Sequence, residues 1–329
     1  MSNYITVPMN ENGMIFDPTM NVVVADAIAP EPFGFQDVYI YSHGWSTDAD
    51  RALDLYNQFS IELSRQVLFA KVLSPCPMAN PPQNSLGVGI HWPSEITEDP
   101  TSLLNDLQLF SFYTMEHRAD AVGKNGVYSI LRLLLSQRAG SELPLRLFLL
   151  GHSFGCKVIC SALNDMQSDI ANGTIAVPKN ISFRVVLLQA ATDYDNLEPT
   201  DIYQQVCGIS NLRLLMTTSA ADKALGTWFP DAARVANIFH GGNPTPALGS
   251  AGPTAATVSA FGGSDALSVN IGFTAQQAAS PTARMVVADL TPAHEARIAG
   301  NQFDGGASGS HSDINFAEIY QLVLGFIFA

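Results

Sequence analysis

Positive charge is scarce in this chain, with 16 Lys and Arg against 30 Asp and Glu in 329 residues, a net charge of −14 at pH 7. Nucleic acid and anionic membrane surfaces both repel so acidic a protein, and no basic patch offsets the imbalance, so neither is expected as a partner. Long apolar runs are missing too. No stretch of about 18 apolar residues occurs, so no integral membrane segment is expected. The N-terminal residues Met1-Ser2-Asn3-Tyr4-Ile5-Thr6-Val7-Pro8 lack the charged and apolar regions of a secretory leader, and a cytoplasmic location is the expectation. Cysteine is sparse: Cys76, Cys156, Cys160 and Cys207 show no metal-binding spacing. Cys156 and Cys160 stand one helical turn apart, a poor geometry for a disulfide within one helix, and read as core packing. No H-E-x-x-H is present, which removes zinc-dependent hydrolysis from consideration; no metal is expected.

What the chain has in quantity is apolar side chains, 47% of the total with only 14% charged. A chain of this length and composition can bury a large core, and a single domain over 1–329 is expected, without internal repeats. Apolar strands alternate with helical patterns. The predicted strands are Asn21 to Ala25, Val38 to Tyr41, Gly87 to Trp92, Leu145 to Leu150, Ile181 to Leu188, Asn211 to Met216 and Arg284 to Leu290. Between them, Thr47 to Arg65 reads as a helix capped by Thr47 or Asp48, with Ala52, Leu55, Phe59 and Leu63 on its buried side. Val127 to Arg138 is another helix. A terminal helix carries Phe316, Ile319, Leu322, Val323, Phe326 and Ile327 at helical spacing, with Ser312 as a candidate N-cap. This order predicts an α/β protein with a parallel sheet and helices on both faces. Two stretches exceed that plan: 93–117, rich in Leu and aromatics, and 241–282, rich in Gly, Ala, Pro, Ser and Thr. Each is a candidate lid over a site or a plain packing insertion.

The chemistry concentrates at Gly151-His152-Ser153-Phe154-Gly155. The pattern alone is common; its placement makes it specific. A buried strand, Leu145 to Leu150, runs into it and an apolar-sided helix beginning at Cys156 leaves it. A Ser in that turn must adopt a strained backbone, and a Cβ on either flanking residue would strike the neighbouring strand or helix. The result is a hydroxyl exposed at the strand's C-terminal edge beside helix N-terminal N–H groups, the geometry of a nucleophile elbow.

These residues resemble the α/β-hydrolase superfamily, in particular its serine esterase and lipase-like members. The resemblance implies an α/β-hydrolase fold with a mostly parallel sheet and a lid-like insertion, and a triad in the chain order Ser, acid, His. The strand Val38 to Tyr41 ending in Ser42-His43-Gly44-Trp45 resembles the family's oxyanion loop. That likeness assigns the backbone N–H groups of Trp45 and Phe154 to the oxyanion hole, with His43 bracing the loop. The acid commonly follows the second strand after the elbow, where Asp222-Lys223-Ala224-Leu225 stands; Asp193, one strand earlier, is its rival, with loop bracing or helix capping as the alternative duty of Asp193 and Asp195. Of the seven histidines, only His240, His294 and His311 follow in the right order. His311, on a Gly/Ser loop between the last strand and the terminal helix, is the expected base and His294 its rival.

The resemblance thus implies a serine hydrolase that cleaves a small-molecule carboxylic ester through an acyl-enzyme, using Ser153, His311 and Asp222 and no cofactor. Amide or thioester cleavage and acyl transfer use the same machinery, and some members of the superfamily are non-catalytic binding modules.

Overall fold

Alternation along the strands divides the molecule into two cores. In β4 (Leu145–His152), Leu145, Leu147 and Leu149 enter one hydrophobic cluster, while Phe148 and Leu150 enter the other. Both faces of the strand are therefore dry, which is why it reads as an unbroken apolar run. The computed structural model describes residues 3–15, 35–45, 47–73, 84–95, 114–230, 245–303 and 308–329. Among the described residues there are eight strands: β1 (Asn3–Pro8), β2 (Asp37–Ser42), β3 (Ser85–His91), β4, β5 (Ile181–Leu188), β6 (Leu212–Thr218), β7 (Ser264–Ser268) and β8 (Met285–Asp289). They lie in the order β1-β3-β2-β4-β5-β6-β8-β7, and every neighbouring pair is parallel. This is the α/β-hydrolase architecture that the motif analysis anticipates.

The helices cover both faces. On one, α2 (Tyr128–Arg138) and α3 (Phe154–Ala171) contribute Ile130, Leu134, Val158, Ile159 and Leu163 to the first cluster. Residues 114–121 are helical as well, and a π-helical turn, Val122–Val127, joins them to α2. On the other face lie α1 (Ala49–Leu73) and, at the C-terminus, a helix over Ala317–Phe328 whose Ile319, Leu322, Val323 and Phe326 fill the second cluster. Cys156 and Cys160 are buried thiols within α3.

The local expectations need several corrections. Helix α1 runs on past Arg65 to Leu73. Its buried face is Ala52, Tyr56, Phe59 and Leu63, whereas Leu55 turns toward the cleft described below. Asp48 is the side chain that caps it, accepting the Arg51 N–H at 2.7 Å. Ser312 does not cap the terminal helix. That helix starts at Ala317 with Phe316 in the N-cap position, which makes no side-chain capping bond.

Residues 245–282 are more regular than their composition suggests. They form α4 (Leu248–Ala251), α5 (Ala255–Ala260), the edge strand β7 and α6 (Ala275–Ala279), which carries a Thr274–Gln277 capping box. The last two helices are then α7 (Thr291–Ala299) and α8, the terminal helix. The candidate strand at 21–25, the stretch 96–113, residues 241–244, Cys76 and His240 lie outside the described residues.

The strand order also places the site. The chain moves outward from β2 to β3 and then returns to lay β4 on the opposite side of β2. The loops leaving β2 and β4 therefore open side by side at the C-terminal edge of the sheet, where open α/β sheets bind ligands. Their contact is close: a Cβ on Gly155 would lie 2.1 Å from the Ser42 carbonyl oxygen and 2.6 Å from that of His43. Gly155→Ala should accordingly lower the urea unfolding free energy by about 1–3 kcal/mol through overpacking. Gly226→Ala, where nothing lies within 4 Å, should change it by less than about 0.5 kcal/mol. Equal unfolding midpoints for the two variants would contradict this account of the elbow.

Candidate active site

Ser153 occupies the turn between β4 and α3 with φ 55° and ψ −125°, a backbone conformation that costs an L-residue on the order of 1–3 kcal/mol. Its neighbours hold it there. The Ser153 N–H donates to Leu188 O at 3.1 Å, and its carbonyl accepts the N–H groups of Cys156 at 3.0 Å and Ala191 at 3.2 Å. Glycine is required on both sides. A Cβ on Gly151 would lie 2.6 Å from the Cys156 backbone, and one on Gly44 would lie 2.7 Å from Ser153 Cβ. The β2 loop thus passes directly over the serine, carrying Trp45 to the wall of the same cleft as Phe154.

The loop before α8 brings His311 to the hydroxyl. His311 Nε2 lies 2.9 Å from Ser153 Oγ, and Nδ1 lies 2.8 Å from Asp222 Oδ2. Because an ionised carboxylate only accepts, the Nδ1–H donates to Asp222, which leaves the Nε2 lone pair facing the Ser153 O–H. Asp222 is buried and fully engaged: Oδ1 accepts the Leu225 N–H at 3.0 Å, and Oδ2 accepts both His311 and Gln189 Nε2, the latter at 3.0 Å.

The loops of Asp222 and His311 are laid on each other. Ser310 N donates to Ala221 O at 3.0 Å and Ala224 N to Ser308 O at 3.1 Å. Gly309, at φ +62°, fits here because it has no Cβ; one would come within 2.3 Å of Ala221 O. From below, His152 Nε2 donates to the His311 carbonyl at 2.9 Å. Arg297 grips Asp313 with two hydrogen bonds, at 2.8 and 2.9 Å, fixing the far end of the loop.

The other candidates are placed elsewhere. Asp193 accepts a hydrogen bond from the Thr245 hydroxyl and bridges to Ala247 through its backbone; burial raises its pKa. Asp195 accepts the Glu198 N–H through its carbonyl at 2.7 Å, a loop contact. His294 is buried behind the acid loop, with Nδ1 2.8 Å from Ser219 Oγ and Nε2 3.0 Å from Asp313 O. His43 stacks on Trp92 at 5.3 Å, with Nδ1 2.8 Å from Gly44 O and Nε2 accepting the Trp92 N–H at 3.3 Å. It braces the loop after β2. Gln189 and His152 escaped the sequence reasoning, since neither the ending of an apolar strand in a polar residue nor the variable position of an elbow names a bonding partner.

Ser153 and His311 open onto a cleft of about 430 Å³. Its walls are mostly apolar, including Trp45, Leu55, Leu225, Phe229 and Ile314, with Arg51 the charged residue that lines it among the described residues. Among the described residues no three His, Cys, Asp or Glu side chains gather as a metal site, and no helix is long and apolar enough to cross a membrane.

A parallel eight-stranded sheet with a strained serine turn after a central strand defines an α/β hydrolase. In agreement with that class, residues 35–265 match the family described as alpha/beta hydrolase of unknown function (DUF900), and the chain belongs to it. No curated protein and no solved structure matches the chain.

The histidines around the site have a consequence for stability. Burial lowers the pKa of His43 and of His152 to about 3, against about 6.5 in an unfolded chain. The unfolded state therefore binds more protons below pH 6.5, and stability present above that value is lost as the pH falls toward 3. Each such group contributes a slope of about 1.4 kcal/mol per pH unit within that window. The raised pKa values of Asp165, Asp193 and Asp195 act in the opposite sense, so the effect is read as a difference. Urea unfolding between pH 7 and 5 should show a shallower acid loss for His152→Gln than for the parent. Identical slopes would contradict a buried, neutral His152.

Proposed function

We propose that this protein is a serine hydrolase that cleaves carboxylic esters through a covalent acyl-enzyme. One observation carries the proposal: an unbroken hydrogen-bonded series from Asp222 through His311 to the hydroxyl of Ser153 at the mouth of a largely apolar cleft. A binding module has no use for a strained serine whose hydroxyl meets an oriented imidazole.

The chemistry follows from the atoms in contact. Ser153 Oγ attacks the ester carbonyl carbon as its proton passes to His311 Nε2. Asp222, accepting at Nδ1–H, keeps the imidazole in the reactive tautomer and stabilises the imidazolium that forms. The carbonyl oxygen becomes an oxyanion beside the start of α3, where the N–H groups of Phe154 and Trp45 are assigned to hold it. Each such fixed donor lowers the barrier by about 3 kcal/mol. His311 then protonates the departing alcohol. Water enters, gives its proton to the same nitrogen and releases the acid, restoring Ser153. The reaction calls on no cofactor.

The apolar walls supplied by Leu225, Phe229 and Ile314 favour a substrate with a hydrocarbon or aromatic portion, and the acidic chain favours a small molecule over any polyanion.

Ser153→Ala should reduce turnover of p-nitrophenyl esters by on the order of 10⁶ without lowering the unfolding midpoint. Retention of more than a few per cent of the activity would sink the nucleophile assignment. Asp222→Asn should reduce kcat by roughly 10⁴, because the amide favours the wrong imidazole tautomer. Asp193→Asn, which alters a loop contact, should stay within a few-fold of the parent. The reverse ranking would transfer the acid's role to the earlier loop.

A further inference from the structure

Gln189 directly follows strand β5 in a conformation that nothing in its local sequence favours. Its φ is +46°, in the left-handed region that L-residues seldom enter. The side chain is completely buried, and its Oε1 has no hydrogen-bond partner among the described residues. Two unfavourable features in one residue call for a compensating role.

The compensation lies at Nε2. One amide hydrogen is given to Asp222 Oδ2 at 3.0 Å and the other to Ser310 O at 2.9 Å. Both partners are acceptors, so the carboxamide has a single usable orientation. Turning it over would set Oε1 against a carboxylate and a carbonyl. The residue is fixed from behind as well. Its N–H donates to Thr217 Oγ1 at 2.9 Å, and Gly249 passes so near that a Cβ there would lie 2.5 Å from the Gln189 carbonyl carbon.

We propose that Gln189 is a positioning residue that couples the acid to the base: one carboxamide bridges the Asp222 carboxylate and the backbone of the residue preceding His311. The inference rests on the reading of Ser153, His311 and Asp222 as a triad. Asp222 Oδ2 receives Gln189 and His311 together, and Ser310 is covalently bonded to His311. Gln189 therefore fixes the separation between the carboxylate and the imidazole-bearing backbone, and through it the line from Nε2 to Ser153 Oγ. An uncharged donor suits this place. It satisfies the carboxylate without competing for its charge, so Asp222 stays available to the imidazolium.

The titratable groups facing this corner are Asp222, His311, His152 and His294. Burial favours the neutral form of the last two. Asp313 and Arg297 lie behind His294 and are bound to each other, and Lys223 is exposed.

The test uses the full chain, with every rate expressed per serine titrated by a fluorophosphonate probe, so that a lower folded yield does not enter. Gln189→Leu and Gln189→Met remove both donors; kcat should fall on the order of 10- to 100-fold, as expected for a displaced catalytic group, with KM unchanged. Gln189→Glu keeps the shape. When ionised it offers only lone pairs to Asp222 and Ser310, and when protonated it restores one donor. Its activity should therefore pass through a maximum and fall as the pH rises, whereas the parent's should rise to a plateau. A residue with only a structural duty would lower the unfolding midpoint and leave the Gln189→Glu profile shaped like the parent's; that outcome, or a kcat within a few-fold of the parent in Gln189→Leu, overturns the proposal. A folded parent that the probe leaves unlabelled at Ser153 overturns the triad reading itself, and this proposal with it.

Discussion

Everything at the candidate site depends on a close approach of two neighbouring loops. Strands β2 and β4 are adjacent and parallel, so the chain leaves both at the same edge, and the backbones must pass within contact distance of each other. Gly44 and Gly155 are the residues at which that passage happens, and Gly151 is where the elbow turns back against the start of α3; a Cβ at any of them would lie 2.1 to 2.7 Å from neighbouring atoms. Because that space is filled by backbone, Ser153 is forced to φ 55°. Its hydroxyl has one outlet, toward the cleft and His311. The strain is thus the local expression of the parallel topology and is offset by the cores on either side of the sheet.

Around this turn the electrostatics are arranged by burial. Asp222 is a buried carboxylate with three donors. The imidazoles of His43, His152 and His294 surround the region, with pKa values lowered by desolvation, and each is tied to a backbone carbonyl. They act as rigid neutral donors. His311, in contrast, has its two ring nitrogens committed to Asp222 and Ser153. Of the others, His152 holds the backbone carbonyl of His311 and His294 that of Asp313, two residues further along the same loop. The apolar part of the cleft wall lowers the local dielectric beside this corner and strengthens the interactions within it.

Much of this was legible in the sequence because strong signals coincide. The strands β2, β4, β5 and β6 are nearly continuous apolar runs, and both faces of each strand are buried. Ser153 could be found because a five-residue motif falls at a strand-to-helix junction. His311 and Asp222 were named from the chain order and strand positions that the resemblance to the α/β hydrolases implies, with His294 and Asp193 as their rivals. Other features left weaker marks. Strand β7 is short, with exposed and half-buried residues in alternation, so Ser264 to Ser268 resembles a loop. Helix α1 serves the core and the cleft at once, which is why Leu55, expected on the buried side, lines the cleft while Tyr56 is buried. Gln189 left no pattern at all, since a carboxamide that bridges two loops distant in sequence becomes visible only in three dimensions.

The central claim is that Ser153 carries the acyl group during turnover. Its most direct test is a rapid-quench reaction with a p-nitrophenyl ester, followed by mass spectrometry of the digested chain. The account predicts a burst of p-nitrophenol approaching one equivalent per protein chain and an acyl adduct on the peptide that contains Ser153. Steady release with no burst, together with an adduct on another residue or on none, would contradict it.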